Sequence, residues 1–411
     1  MTMQMNRVHT GFAATTVLIA TLVGCSGQGN YTRQSVSMAK ERMSFLKSAT
    51  EWELARQAFL AGDLEKALDK VEYSLSINDT VVKSHVLKGR ILIEMGDLGN
   101  ALETLRTAAT LDPAEPDAHY YLGIIFERLN RPQDAYTHFD KATEFDDYNP
   151  AYAVAAAEML IDMERIDEAK EYLVSIPMAQ NNAGIRQSLG HVALLEHDPK
   201  SAVEFFQQAR LLAPDDEGIA EDLIHAQMVA GKYADAEGNI SRLLKIPTNA
   251  DRRDLHILHA KALMSTGRPV EARSIYQTLL SESEGKSDVD SWIGLANASF
   301  VINDLRTVRK AASRIVSLSP DSKDGYLLYA MYHRKKGDLA TSLASLDNAI
   351  ERAPMDAGMY AFRAIILSEL DRGSDAIASV ARAVEIEPGN PRYTQMLSEL
   401  GSGTFATAPI E

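Results

Sequence analysis

The sequence predicts an all-α fold, a solenoid of about ten stacked helix-turn-helix repeats, on three observations. First, a mid-repeat position recurs at Ala67, Ala101, Ala135, Ala169, Ala202, Ala236, Ala272, Val308, Ser342 and Ala376. Its intervals are 34, 34, 34, 33, 34, 36, 36, 34 and 34 residues. Second, an apolar and usually larger side chain follows each of these by four residues, as at Val71, Leu105, Phe139, Phe206 and Tyr276. A second small residue precedes each by twelve, as at Ala55, Gly89, Gly123 and Gly190; the sixth copy departs with Ile224. Third, turn signals such as Gly62-Asp63, Gly96-Asp97, Asn130-Arg131-Pro132 and Gly337-Asp338 fall between the two halves. Self-similarity at a period of this length marks a repeated supersecondary unit whose core is completed by its neighbours.

The spacing dictates the local structure. Offsets of three and four place the small and large residues on one helical face. Alanine there lets a second helix approach, and the larger residue fills the space beside it. In half the copies a proline (Pro113, Pro214, Pro320, Pro354, Pro388) ends the second helix, because proline cannot continue a helix interior. The two 36-residue intervals place extra loop residues near Asp251-Arg252 and Ser287-Asp288, as kinks or as neutral insertions.

A helix-turn-helix of 34 residues with this small-large-small spacing resembles the tetratricopeptide repeat. The third copy carries the pattern most fully, with Leu122, Gly123, Phe126, Ala135, Phe139 and Ala142. The aromatic at the fourth position survives only as Trp292, Tyr326 and Tyr360. The resemblance implies a right-handed superhelix. Its repeats are placed at about 48–81, 82–115, 116–149, 150–182, 183–216, 217–250, 253–286, 289–322, 323–356 and 357–390, together spanning 48–390. Residues 391–411 read as a solvating helix and a loose tail. At the front, residues 25–47 are expected to hold a lipidated terminus, a short tether over 27–32 and a capping helix over 37–46.

The first 24 residues read as a targeting segment. Arg7 and His9 precede an uncharged, mostly apolar run over 12–23, too short to span a bilayer but of signal-peptide length. It ends in Leu22-Val23-Gly24-Cys25, and Cys25 is the single cysteine of the chain. This ending resembles a bacterial lipoprotein signal. The resemblance implies lipidation of Cys25 by a diacylglycerol, usually with an amide-linked acyl chain of the palmitate kind. Two or more chains hold a protein stably on a membrane. Ser26, in place of Asp, implies the outer membrane and a body facing the periplasm, ahead of the inner membrane.

Charge and motifs bound the function. The formal net charge of -15 argues against a nucleic-acid partner and against a broad grip on anionic lipid. No Gly-rich phosphate loop, His-Glu-x-x-His or Gly-x-Ser-x-Gly occurs. Asp215-Asp216-Glu217 reads as a solvated acidic helix start. His256 and His259 lie three apart on one helix, but no third ligand is evident, so structural roles are favoured over a metal. His191 and His225 occupy the same repeat position in successive copies and are expected to face one another as partner contacts. No catalytic residue, metal ligand, cofactor or small-molecule substrate is expected.

In tetratricopeptide proteins the first helix of each hairpin lines a concave groove, and the resemblance carries two columns of residues onto this chain. One runs Arg56, Arg90, Ile124, Glu158, His191, His225, Lys261, Asn297, Met331 and Ile365. The other runs Phe59, Ile93, Glu127, Ile161, Leu194, Met228, Met264, Phe300, Arg334 and Ser368. The second column reads two ways, as an apolar groove for another protein's segment or as packing between adjacent first helices. The expected function is a non-enzymatic, lipid-anchored scaffold that binds other proteins through this concave face and docks parts of an envelope machine such as a pilus or secretion apparatus. The alternative is an accessory subunit of an enzyme complex in cell-wall synthesis, outer-membrane assembly or polysaccharide export.

Overall fold

A computed structural model describes residues 30–282 and 285–405. The expected signal peptide, Cys25 and the end of the tail lie outside them. The described residues contain twenty-one α-helices and no strand, and they divide into two compact units between Asp146 and Asp147. The first unit holds α1 (Asn30–Leu60), α2 (Leu64–Ile77), α3 (Val82–Glu94), α4 (Leu98–Leu111), α5 (Pro116–Arg128) and α6 (Pro132–Phe145). The second opens with α7 (Pro150–Asp162), α8 (Ile166–Ser175), α9 (Ala183–Leu195), α10 (Pro199–Leu212), α11 (Glu217–Val229) and α12 (Tyr233–Leu243). It continues with α13 (Arg253–Ser265), α14 (Pro269–Ser281), α15 (Val289–Val301), α16 (Leu305–Leu318), α17 (Asp324–Lys335) and α18 (Leu339–Arg352). It ends with α19 (Ala357–Glu369), α20 (Gly373–Ile386) and α21 (Pro391–Ser402). Within each unit, consecutive helices pack on one another as antiparallel hairpins.

Most hairpins are closed by small-against-large packing; the sixth instead sets Ile224 against Ile240 and the eighth Ala296 against Ala312, all fully buried. The mid-repeat residues, Val308 and Ser342 included, are fully buried. Ser342 keeps its hydroxyl satisfied by donating to the Ala330 carbonyl at 2.7 Å. Residue sizes compensate across the contact. A methyl added at Gly89 would lie 2.4 Å from Leu105, at Gly123 2.5 Å from the Phe139 ring, and at Gly190 2.6 Å from the Phe206 ring. Where the facing residue is Val71 or Val380, alanine (Ala55, Ala364) takes the glycine's place. Tyr276 faces Ala260, and its ring finds room against Gly294 of α15 instead, where a methyl would come within 2.2 Å.

The ten hairpin turns share one backbone geometry. Each holds one residue in the left-handed region, five of them glycine (Gly62, Gly96, Gly231, Gly267, Gly337) and five not (Asn130, Glu164, His197, Asn303, Asp371). In nine of the ten the next residue opens the second helix with one of two chemistries; the exception is Lys232, whose side chain makes no cap hydrogen bond. At Asp63, Asp97, Asp198, Asp304 and Asp338 the carboxylate accepts from the backbone N–H three residues on. Hydrogen bonds from the residue three ahead hold Asp97, Asp198 and Asp338 below the usual carboxylate range. At Arg131, Arg165, Arg268 and Arg372 the guanidinium instead pairs with Asp134, Glu168, Glu271 and Asp375 of the helix's first turn.

Two expectations are corrected. The capping helix over 37–46 is not a separate element, and residues 30–32 of the tether are helical. No glycine or proline interrupts residues 30–60, so α1 runs unbroken into the first repeat. Burial begins at Ser48, whose hydroxyl bonds Ser74 at 3.0 Å, as Ser74 bonds Ser84 at 3.1 Å. The extra residues of the 36-residue intervals are wound into single turns of 3-10 helix, Pro247–Asn249 and Gly285–Ser287. They are packed, since Asn249 is buried and donates to Glu217 at 2.8 Å.

The α5–α6 hairpin contains a stacked histidine pair. His119 Nε2–H donates to the Pro113 carbonyl at 3.0 Å, which leaves its Nδ1 to accept from His138 Nδ1–H at 3.3 Å. His138 also stacks on Phe126, ring centroids 5.2 Å apart. Burial lowers both pKa values, that of His138 to about 4 with repulsion from His119 adding to it.

Two predictions follow from this packing. Gly123→Ala gains about 1 kcal/mol of helix propensity but overpacks the Phe139 ring at a cost of about 1–3 kcal/mol. Urea denaturation is expected to show a net loss for Gly123→Ala that Phe139→Leu in the same chain partly restores; additive losses would refute the contact. For the histidine pair, the native state stays neutral while the unfolded state takes up protons below about pH 6.5. The pair therefore costs no stability above that pH and erodes it as pH falls toward about 4. His138→Phe is expected to narrow the difference between urea midpoints at pH 7 and pH 4.5, and an unchanged difference would contradict the assignment.

Candidate functional site

The first helices of the hairpins present the two columns differently. In the first unit, Arg56 is exposed and ion-paired with Glu53 at 2.7 Å. Arg90 is half-buried between two rings from the neighbouring first helices, 5.1 Å from the Phe59 centroid and 4.9 Å from the Tyr121 centroid. Burial pushes the Tyr121 phenol up to about 12, although Arg90 pulls the other way. Ile93 is buried, and its carbonyl accepts from Arg128 Nη1 at 2.9 Å.

In the second unit Met331 and Ile365 are half-buried, but over five positions the first column is solvent-facing: Glu158, His191, His225, Lys261 and Asn297 are exposed. The second column is not. Phe300 is buried, Ile161 is half-buried, and Leu194, Met228 and Met264 are half-buried against the inter-hairpin core. Arg334 is nearly covered and donates through Nε to Glu369 at 2.9 Å. In both units, therefore, the second column largely builds the core's edge, while in the second unit five positions of the first supply the accessible chemistry.

That chemistry centres on α9, α11 and α13. Asp222 accepts from Gln187 at 2.7 Å and lies 3.1 Å from His191 Nε2. Burial pushes its carboxyl up, but these bonds and the nearby His225 hold it below the ordinary carboxylate range. A cleft of about 450 Å³ opens between α11 and α13, lined by Glu221, Asp222, His225, Leu258 and Lys261 among others. Arg252 grips its rim, binding Glu221 at 3.0 Å and Asp254 at 2.6 Å. The carboxylates here are committed to cations and amides, so the cleft offers hydrogen bonding and charge.

His191 thus reaches Asp222, which the sequence did not single out, and the charge of His225 acts on the same carboxylate. Its signal was the spacing of Gln187, His191 and Asp222, one turn and one repeat apart. His256 and His259 point to different partners, the Ala250 carbonyl at 2.8 Å and Glu237 at 3.2 Å. Among the described residues no group of three or more His, Cys, Asp or Glu is placed to hold a metal ion. Nor is any described helix long and apolar enough to cross a membrane.

Comparison with known proteins finds repeats of one kind. The sequence profile of the Tetratricopeptide repeat matches residues 86–150 and 327–391. The chain is 23% identical over 239 residues to human DnaJ homolog subfamily C member 7, covering 54% of this chain and 47% of that protein. It is 24% identical over 148 residues to the type IV pilus assembly protein PilF of Pseudomonas aeruginosa, covering 35% and 59%. The chain thus spans about half the length of these curated relatives. Among solved structures, Pseudomonas aeruginosa PilF aligns with 50% of this chain and 94% of its own at 20% identity and a TM-score of 0.41. Cut9-Hcn1 of the APC/C aligns with 89% and 99% at 11% identity and the same score.

The Arg90 sandwich is testable as a coupled unit. A double-mutant cycle of Arg90→Ala with Tyr121→Leu is expected to return a coupling of about 0.5–2 kcal/mol in unfolding free energy. Additive losses would mean that the cation and the ring do not support one another.

Proposed function

We propose that this tetratricopeptide-repeat chain is a non-enzymatic scaffold, held by lipid at the bacterial envelope, that docks protein components of an envelope machine such as a pilus or secretion apparatus. The fold is an all-α solenoid of such repeats, a construction that generally serves to bind other proteins. The observation that carries the reading is the exposed first column of the second unit. His191, His225, Lys261 and Asn297 stand on successive first helices, beside a cleft with hydrogen-bonding walls. Such a surface suits a segment of another protein, with apolar contacts at its floor and polar ones along its rim.

Two further features support the envelope and the machine. Leu22-Val23-Gly24-Cys25 carries the lipoprotein-like ending, which would place the body on a membrane without a basic surface or a spanning helix. The likeness to a type IV pilus assembly protein covers a third of the chain. By this reading the lipid on Cys25 sets the location and the first-helix face selects the partner.

The test separates location from binding. Cys25→Ser is expected to abolish incorporation of labelled palmitate and release the chain from membranes. Capture after gentle crosslinking, read by mass spectrometry, is expected to recover secretin, pilus or cell-wall components with the native chain. A His191→Glu, His225→Glu, Lys261→Glu form, verified helical, is expected to lose them. These exposed positions are preferred to Ile161, Leu194 or Met228, where a carboxylate would disturb the core. Equal recovery by both forms would remove the first-helix face from the reading, and no specific recovery would remove docking itself.

A further inference from the structure

The second helix of the eighth repeat is unlike the rest of this acidic chain. Between Leu305 and Lys336 stand eight Lys or Arg and two Asp, in a protein whose net charge is -15. Val308, Ala311, Ala312 and Ile315 bury one face of α16, and the exposed side carries Arg306, Arg309, Lys310, Ser313 and Ser317. Two clefts flank this ridge. One, of about 560 Å³, has Trp292 and Lys286 in its wall; the other, of about 450 Å³, has Tyr329, Tyr332 and Lys336. Lys310 and Ser313 belong to both, and among the described residues no carboxylate lines either.

At least half of these cations lack a carboxylate partner among the described residues, although Lys310 stands 6.0 Å from the Trp292 ring centroid. Lys323 and Arg334 are neutralised by Asp356 and Glu369, and Asp304 is occupied by Arg273 and Thr307. Among the described residues no carboxylate lies within ion-pairing distance of Arg306, Arg309, Lys310 or Lys336. Like charges gathered on one helix repel one another. A cluster left without counter-charges in a chain this rich in acids is a surface complementary to an anion from outside.

The shape selects among anions. From Arg306 to Ser317 the ridge runs about 16 Å, the length of about five extended residues or three helical turns. A lipid surface is planar and does not enter clefts on both sides of one helix. A nucleic-acid duplex would set its phosphates against the acidic remainder of the chain. A short polypeptide meets neither objection: its carboxylates reach the ridge and its apolar side chains enter the aromatic-walled clefts. We propose that α16 and its flanking clefts form a second docking surface, for an acidic segment of a partner protein with interspersed apolar residues. This surface is separate from the first-helix column and does not depend on the envelope reading.

The test uses the full chain and a fluorescein-labelled decapeptide alternating Asp or Glu with Phe and Leu, followed by anisotropy. Binding is expected at low salt, to weaken at 0.5 M NaCl, and to fall at least about tenfold, a loss of about 1.4 kcal/mol, in Arg309→Glu/Lys310→Glu. Lys66→Glu/Lys83→Glu, which changes net charge equally on other helices, is expected to leave it unchanged. Failure of the peptide to bind, or equal losses in both variants, would overturn the proposal. So would tighter binding, through Arg309 and Lys310, of phosphatidylglycerol vesicles or of an oligothymidylate.

Discussion

The closeness with which the two helices of a hairpin approach is the constraint on which the other contacts depend. It is set where a residue with little or no side chain on the first helix meets a large apolar one on the second. At Gly123 and Gly190 the aromatic ring occupies the space where a β-carbon would stand. Because that distance is fixed, the mid-repeat alanines are sealed from water and the third helix has a flat surface on which to stack. The residue that follows the contact position on each first helix is then held at a repeating spacing, and that spacing gives the exposed column its order.

Much of this was legible in the sequence, because the constraint acts on residue size and size is written in the letters. The mid-repeat alanines and their partners marked every hairpin. Val308, which breaks the alanine pattern, occupies the same sealed position. What could not be read were compensations made by a third party. Ala260 alone does not make room for Tyr276; Gly294, from the next repeat, does. The unbroken α1 was also missed, because a helix continuing past its repeat leaves no mark other than the lack of a breaker.

The candidate site was legible in outline and misread in depth. The family frame placed His191, His225 and Lys261 on the accessible face, where they stand. It left the second column undecided, and the structure sets most of it against the core, since a side chain one turn from the exposed row points between adjacent first helices. Asp222 and Arg252 escaped notice because single charged residues on a helix look like solvated surface until their partners from other repeats are known. The basic ridge of α16 escaped for the same reason, with its charges spread over a helix, a turn and a second helix.

The hairpin turns have a consequence for how such a chain ages. Each is closed by a left-handed residue and a helix opening, and each requirement is met in more than one way within this single molecule. Glycine or a polar residue serves the first; in nine of the ten an aspartate, or an arginine matched to an acid, serves the second. Point mutations can therefore carry a turn from one solution to the other without moving a helix. Repeats of common origin would then lose their resemblance in letters while keeping their register in space.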